Sequence, residues 1–500
     1  MSAPAATSAS GSPARRTGGA RPAAPWAALL LAAGFALAAL GLTAGIGPHD
    51  EGLMLQWGRR IADGQWPYRD FWCNYMPGQP LLQALLGDSL LVWRIVRAAT
   101  GAAAALLAWL LAVRLGATRG WALAAWAAAA LALAWPLTPG PNASALALAL
   151  GALLAAGRSP RTDLGAGALA GAAALFRPEV GAAAALGAAV LARRAGGRPL
   201  PPLIASAVGL LAGLAPFLIV APGALLDQTI GFASIQHMQR LPLTLDPGTT
   251  DPNKVLERLF PALLVALSAA WVAVAPVRRR GAELAPLVAV GLAYLLARAD
   301  EFHLVPLAVA LAVGLALLGA REPGRAARIA IAVALGLIVM HGADRKVAQV
   351  RDASGLVRLD LPAADGVRTD RRTARGLQEL RAAVDARSKP GDPILSAPPR
   401  WDRVRVGDTL LYVLLDRPNP TRYDVIQPGV VTTEEAQREM ISDLERSRTR
   451  LVVRWLAPVA REREPNASGR SSGVLLLDRW IDARFRPVGR FGDHLLLERR

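Results

Sequence analysis

The chain is 500 residues long and 53% hydrophobic, with a mean hydropathy of +0.32 and a formal charge of +18. Ala/Leu/Val runs on that scale exclude an ordinary soluble domain and indicate a polytopic membrane protein. The basic excess is set out in short arginine clusters between apolar runs, which is a topology signal and not a nucleic-acid surface.

Residues 1–25, rich in Ala, Ser, Pro and Gly, carry Arg15, Arg16 and Arg21 without an acid and read as a disordered cytoplasmic tail. The apolar run from Trp26 to Ile46 exceeds a signal-peptide core and reads as a retained anchor. Further runs fall at 91–113, 120–136, 141–157, 163–176, 179–193, 200–221, 259–277, 283–297, 304–320 and 326–341.

The charges between these runs alternate. One set, from Arg15 through Arg114, Arg158, Arg193 and Arg278 to Arg328, holds 16 basic residues against three acids. The other, from Asp50 to His303, holds 10 Arg/Lys against 12 acids. The bias puts the first set in the cytoplasm and predicts eleven spans, with the N-terminus inside and the C-terminus outside. Arg177-Pro178-Glu179 interrupts the stretch 163–193, which is taken as a tight hairpin. One continuous helix there would put Arg161 and Arg194 on opposite sides.

The first outer loop, residues 47–80, is unusually rich in chemistry. It holds His49-Asp50-Glu51-Gly52, Arg59, Arg60, Gly64-Gln65-Trp66-Pro67-Tyr68-Arg69-Asp70-Phe71 and Tyr75-Met76-Pro77-Gly78. The lone Cys73 precludes an intramolecular disulfide and reads as an incidental small side chain. Arg94 and Arg97, near the outer end of the second span, fit headgroup contact and function equally. The outer stretch from Pro222 to Arg258, with Gln236, His237 and Arg240, reads as an interfacial amphipathic helix. A last outer cluster is Arg298-Ala299-Asp300-Glu301-Phe302-His303.

From Gly342 the spans stop, and 342–500 reads as one extracytoplasmic α/β domain. Its expected elements are a helix over 367–388, strands at 393–396 and 450–455, a helix opened by a Thr432/Glu435 capping box, and strands at 473–478 and 494–497. It shows no phosphate loop, zinc spacing or nucleophile elbow. Asn142-Ala-Ser and Asn466-Ala-Ser match a glycosylation triplet too short to carry weight.

Three charged clusters thus share the outer face, and their residue types suit transfer of a sugar from a polyprenyl phosphate. That leaving group departs as an anion and needs cations, for which arginine gives bidentate contacts. The acceptor hydroxyl is a poor nucleophile and gains from a carboxylate base. Asp50 or Glu51 is the candidate base. Candidate substrate-binding residues are Arg59, Tyr68, Arg69, Asp70, Arg177, Glu179, Arg298, Asp300, Glu301 and His303. For each arginine, pairing with its neighbouring acid (Asp70, Glu179, Asp300) is the equally weighted structural alternative. No cofactor is required; a divalent metal held by both first-loop acids would lack a third ligand of comparable quality.

The Asp50-Glu51 pair, Gly64-x-x-Pro67-Tyr68-x-Asp70 and Tyr75-x-Pro77 resemble the first loop of the GT-C membrane glycosyltransferases, notably the protein O-mannosyltransferase type (family 39) and the related aminoarabinose transferases. The resemblance covers the layout of residues 26–341 and the loop motif, and is looser at Arg298–His303. It implies a polyprenyl-phosphate sugar donor, a hydroxyl acceptor on a glycan, lipid or protein, an inner-membrane location, and Asp50 as the base. Two readings compete. A flippase for lipid-linked glycans would put ionisable groups near the midplane, whereas these gather at one face. A noncatalytic assembly protein would leave the Asp50-Glu51 pair without a task.

Overall fold

The computed structural model describes residues 24–134, 140–246, 248–274, 281–322 and 324–500. All but the last two residues of the expected tail, and the cluster Arg278–Arg280, lie outside the described residues.

Each expected apolar run is a helix. In chain order the bundle comprises α1 (Ala24–Ala39), then α2 (Asp50–Ala62) and α3 (Gly78–Leu86) inside the first loop, α4 (Leu90–Arg114), α5 (Arg119–Ala134), α6 (Asn142–Ala155), α7 (Pro160–Ala174), α8 (Pro178–Arg194) and α9 (Leu200–Val220). The short helices α10 (Pro222–Leu226) and α11 (Ala233–Gln236) follow, then α12 (Pro252–Val274), α13 (Ala285–Ala297), α14 (Val305–Arg321) and α15 (Arg325–Asp352). Helices α4, α9, α12 and α15 are long and apolar enough to cross a membrane, and five more are apolar but shorter. Alanine lines the contacts between α4, α5, α6 and α8, where many Ala side chains are fully buried. Small side chains let helix backbones approach closely where no hydrophobic effect drives them together.

Residues 175–177 break the chain between α7 and α8, so the hairpin expected there forms. Pro178 at the first helical position and Glu179 in the first turn explain why α8 starts where it does. The expected interfacial helix over 222–258 is instead a strap of short pieces. A π-helical turn over Asp227–Gly231 and a 3-10 turn over His237–Gln239 join α10 to α11 and an extended stretch.

Helix α15 runs ten residues past the expected boundary at 342. Beyond it, β1 (Val357–Arg358) pairs antiparallel with β2 (Arg368–Thr369). The main sheet has the order β3-β4-β6-β5, from β3 (Ile394–Ala397), β4 (Leu451–Trp455), β5 (Phe485–Phe491) and β6 (His494–Arg499). The β3–β4 pair is parallel and the others are antiparallel. One face packs on α16 (Arg371–Asp385) through Leu377, Leu380 and Val384, and also on the fully buried α17 (Leu410–Leu415). The other packs on α18 (Glu434–Arg446), with the short α19 (Pro458–Arg461) beyond β4 and α20 (Leu476–Arg484) beside α18.

Two local expectations are corrected. The stretch 473–478 is not a strand: Leu477, Trp480 and Ile481 bury one face at helical spacing in α20. The cap of α18 is Thr433, which accepts from the Ala436 amide, while Thr432 accepts from Gly429 instead.

This layer sits directly on α2, which is buried along most of its length. Leu53, Met54 and Trp57 join the core on one face of the sheet, and Leu55 joins the core on the other. At Gly52 a Cβ would come within 2.2 Å of the Leu410 amide nitrogen, and that amide donates to the Pro48 carbonyl at 2.9 Å. Only glycine admits so close a crossing.

Candidate active site

Helix α2 starts at Asp50, so helical spacing decides what each first-turn acid meets. Asp50 shares a face with Leu53 and Met54, and all three line a cavity of about 630 Å³. That lies in the range of small-molecule sites. The wall is completed by residues 74–76, Arg97 of α4, Asn142 at the start of α6, Arg177 and Glu179 at the start of α8, and Tyr294 near the end of α13. Loop 298–303, the strap and residues of the sheet layer, among them the polar Arg405, Gln427, Glu464 and Ser468, close it.

Glu51, one residue on, faces the opposite way. Its carboxylate accepts from Arg94 Nε at 2.7 Å and Nη2 at 2.8 Å, and from the Gly47 amide at 2.9 Å. Both side chains are buried, at 4% and 2% exposure, and Arg94 also donates to the Leu42 and Gly45 carbonyls. This pair fastens the end of α1 to α2 and α4. Asp50, in contrast, makes no hydrogen bond or ion pair among the described residues.

Glycine again sets the geometry opposite Asp50. The Gly78 amide donates to the Leu175 carbonyl at 2.8 Å, and a Cβ there would lie 2.6 Å from that oxygen. The contact docks Tyr75-Met76-Pro77 on the α7–α8 turn. Burial pushes the Tyr75 hydroxyl up, and nearby Tyr294, Asp50 and Arg177 all act on it. Arg177 caps the start of α8, pairs with Glu179 and lies 4.2 Å from the Tyr294 ring centre.

Arg298 ties loop, strap and sheet layer together. It donates to Asp300 at 2.6 Å, to both oxygens of Glu464 at 2.9 and 3.1 Å, and to the Gln239 carbonyl at 2.6 Å. Asp300 also accepts from His303 Nδ1 at 2.6 Å and from the Phe302 and His303 amides. Burial would raise Asp300, but the His303 and Arg298 bonds more than offset it and hold the carboxyl low. Glu464 is likewise held low despite burial, by Arg298 and Asn466.

The strap contributes a further polar chain: Gln239 Nε2 donates to Gln427 Oε1 at 2.7 Å, and Gln427 Nε2 lies 3.1 Å from His49 Nε2. Burial pushes the His49 imidazole below its usual value, although Asp50 beside it pulls the other way.

The cavity therefore unites Asp50, Arg177, Glu179, Arg298, Asp300 and His303. Six of the sequence candidates stand away from its wall. Glu51 is bound to Arg94. Arg59 reaches Asp416 at 2.5 Å, and its neighbour Arg60 reaches Asp424 at 2.9 Å; both carboxylates lie in the sheet layer. Arg69 pairs with Asp70 at 2.7 Å on the surface. Tyr68 is a loop scaffold with φ of 71°, whose hydroxyl donates to the Tyr75 carbonyl and whose own carbonyl accepts from Gln228 and Arg422. Glu301 pairs with Arg345 at 2.5 Å, tying its loop to α15.

Sequence reasoning missed His49, Asn74 and Tyr294 as wall residues, read Asn142 only as a glycosylation triplet, and left Arg97 undecided. His49, Asn74 and Tyr75 sit in the same short loop as Asp50, which was a usable signal. Arg405, Gln427 and Glu464 reach the site through long-range packing and left none. Among the described residues no group of three or more His, Cys, Asp or Glu side chains converges as a metal site.

No family model and no curated protein matches this sequence. Among solved structures the chain is similar to the crystal structure of ArnT from Cupriavidus metallidurans bound to undecaprenyl phosphate, with a TM-score of 0.52 over 95% of this chain and 98% of that one. The chain has the GT-C fold. Sequence identity is 14%, so the GT-C likeness is one of architecture, extending through the sheet layer as well as the bundle.

Proposed function

We propose that this protein is an integral-membrane glycosyltransferase moving a sugar from a polyprenyl-phosphate donor to a hydroxyl acceptor. The observation that carries the reading is an unpaired carboxylate, Asp50, in a cavity whose other walls carry Arg177 and Arg298. The fold shared with a protein that binds undecaprenyl phosphate supports it. So does the clustering of charge at one end of the bundle, where a lipid carrier's phosphate would lie.

In this reading Asp50 takes the proton of the acceptor hydroxyl, and that oxygen forms a bond to the anomeric carbon. The bond from that carbon to the phosphate oxygen breaks, and the electron pair leaves with the polyprenyl phosphate. Arg177 and Arg298, with Arg97 deeper in the wall, stabilise the charge that develops there. Asp300 fixes the orientation of the His303 ring in the same wall. Here Asp50 acts as base and the acceptor oxygen attacks the anomeric carbon directly. The transfer is then a single displacement with inversion at the anomeric carbon. The eleven-span threading, with the sheet layer outside the cytoplasm, puts this chemistry on the extracytoplasmic face of the inner membrane.

The test is purified protein in liposomes with polyprenyl-phosphate sugars and a hydroxyl acceptor, scored for release of polyprenyl phosphate. Release that depends on both donor and acceptor is expected. Translocation of intact donor without its consumption would establish a flippase instead.

A further inference from the structure

Resting on that reading, we infer that Arg345 is a positioning residue: through Glu301 it fixes loop 298–303 on the bundle and so holds Arg298 toward the donor phosphate. Direction is the first observation. The loop joins α13 to α14, and its residues Arg298, Asp300, Phe302 and His303 line the cavity. Glu301 turns the other way. With Phe260 of α12 and His341 and Arg345 of α15 it lines a small void between those two helices. Asp300-Glu301 thereby repeats the division seen in Asp50-Glu51. In each pair the first acid faces the cavity and the second is held by an arginine of a neighbouring helix.

Arginine chemistry makes the bridge. Arg345 Nη1 donates to Glu257 Oε1 of α12 at 2.6 Å, and Nη2 donates to Glu301 Oε2 at 2.5 Å. One planar fork thus spans two carboxylates on separate elements, which a lysine ammonium reproduces poorly. The Arg345 side chain is 15% exposed, so water and salt screen these pairs only in part. Burial pushes the Glu301 carboxyl up; Arg345 opposes that, while Asp300 and Glu257 add to it. Without the guanidinium, Glu301 would stand beside two like charges. Its relief is to swing into solvent, carrying the loop backbone with it. Helices α12 and α15 are also held together by the Phe260 and His341 rings, stacked 3.8 Å apart at 8°. The frame therefore persists when the bridge is cut, and the loop is what moves. Arg298 must follow it. Among the described residues its side-chain partners lie on the loop itself, the strap and the sheet layer, and none is on a bundle helix.

The experiment measures two things on the full-length protein in liposomes: affinity for polyprenyl phosphate, and KM and kcat for polyprenyl-phosphate sugars. Glu301→Gln and Glu257→Gln each remove one partner of the same guanidinium and should shift melting alike, but only the first unties the loop. Glu301→Gln and Arg345→Lys should weaken carrier affinity and raise donor KM about tenfold, with a smaller fall in kcat. Glu257→Gln should stay within about twofold of the parent in both. In an Arg298→Lys background Glu301→Gln should add little further loss, because the two act through one contact. If Arg345→Lys folds poorly, Glu301→Gln, at a partly exposed side chain, carries the test. Parental carrier affinity and KM in Glu301→Gln, or equal losses in Glu301→Gln and Glu257→Gln, would overturn the inference, while turnover by the parent leaves the transferase reading standing. A parent that neither binds the carrier nor consumes any donor overturns both.

Discussion

Two sets of arginines flank the first loop and meet opposite fates. Arg59, Arg60 and Arg69 lie within the loop whose motif first drew notice, yet each is committed to Asp416, Asp424 or Asp70, away from the cavity. Arg177 and Arg298 come from turns distant in the chain, and both line the cavity. Residue type does not separate the sets, and neither does the presence of an acidic partner, since every one of these arginines has one. For Arg59 and Arg60 what separates them from the cavity is the direction α2 imposes, and Arg69 lies beyond that helix, paired with Asp70 at the surface. Its first turn presents Asp50 to the cavity, while its last turn presents Arg59 and Arg60 to the sheet layer. The near set braces the site, and the far set forms it.

The sharpest break in that comparison comes from neighbouring acids. Removing one partner of a buried ion pair costs about 3–5 kcal/mol. Glu51→Gln should therefore lower the melting temperature steeply, whereas Asp50→Asn, unpaired and at the cavity surface, should melt like the parent. Equal melting of the two variants would show that Glu51 is not the anchor described.

Next in size is the arginine contrast. Arg177→Lys or Arg298→Lys should weaken binding of a nonhydrolysable donor analogue roughly tenfold or more, the scale of one charge-assisted hydrogen bond. Arg69→Lys should leave it unchanged. A loss at Arg69 as large as at Arg177 would bring the near set into the site.

Gly78→Ala sharpens the comparison from the scaffold side. The added methyl meets the Leu175 carbonyl oxygen and must push the Tyr75 loop off the α7–α8 turn, at about 1–3 kcal/mol. Transfer rate should fall further than stability does, because the shift separates Asp50 from Arg177. Gly64→Ala, where nothing lies within 4 Å but φ is +84°, should cost stability alone.

The smallest effect concerns pH. Asp300 and Glu464 are carboxyls held low in the folded protein. Their stabilisation is complete above the unfolded values near about 4 and is lost as pH falls through the lower folded ones. Melting temperature should drop below about pH 4, and less so in Arg298→Met, which has already lost the partner they share. A parallel drop in that variant would assign the acid sensitivity elsewhere.

Much of this architecture was legible in the sequence, for physical reasons that also mark where legibility ended. Apolar run length is a local property, so the helices fell where expected, and the break at Arg177-Pro178-Glu179 could be read from a proline and two charges. Strands in the sheet layer were recognised where they are buried on both faces, as at Ile394–Ala397 and Leu451–Trp455. The edge strand Phe485–Phe491, half exposed and containing Pro487 and Gly489, gave no such signal. In the site, Asp50, Arg177 and Arg298 were named from residue chemistry. The separation of Asp50 from Glu51 was not legible, because it depends on Arg94 lying behind one acid and open space before the other. The contribution of Arg405, Gln427 and Glu464 was hidden for the same reason: it exists only once the sheet layer is seated on α2.

The account rests most heavily on Asp50 as the base. The direct measurement is the initial transfer rate of Asp50→Asn from a polyprenyl-phosphate sugar the parent consumes, taken alongside its melting temperature. A fall of about 10²–10⁴-fold with parental melting is predicted, since the amide keeps the size of the side chain and loses its basicity. Near-parental turnover by Asp50→Asn would contradict the account.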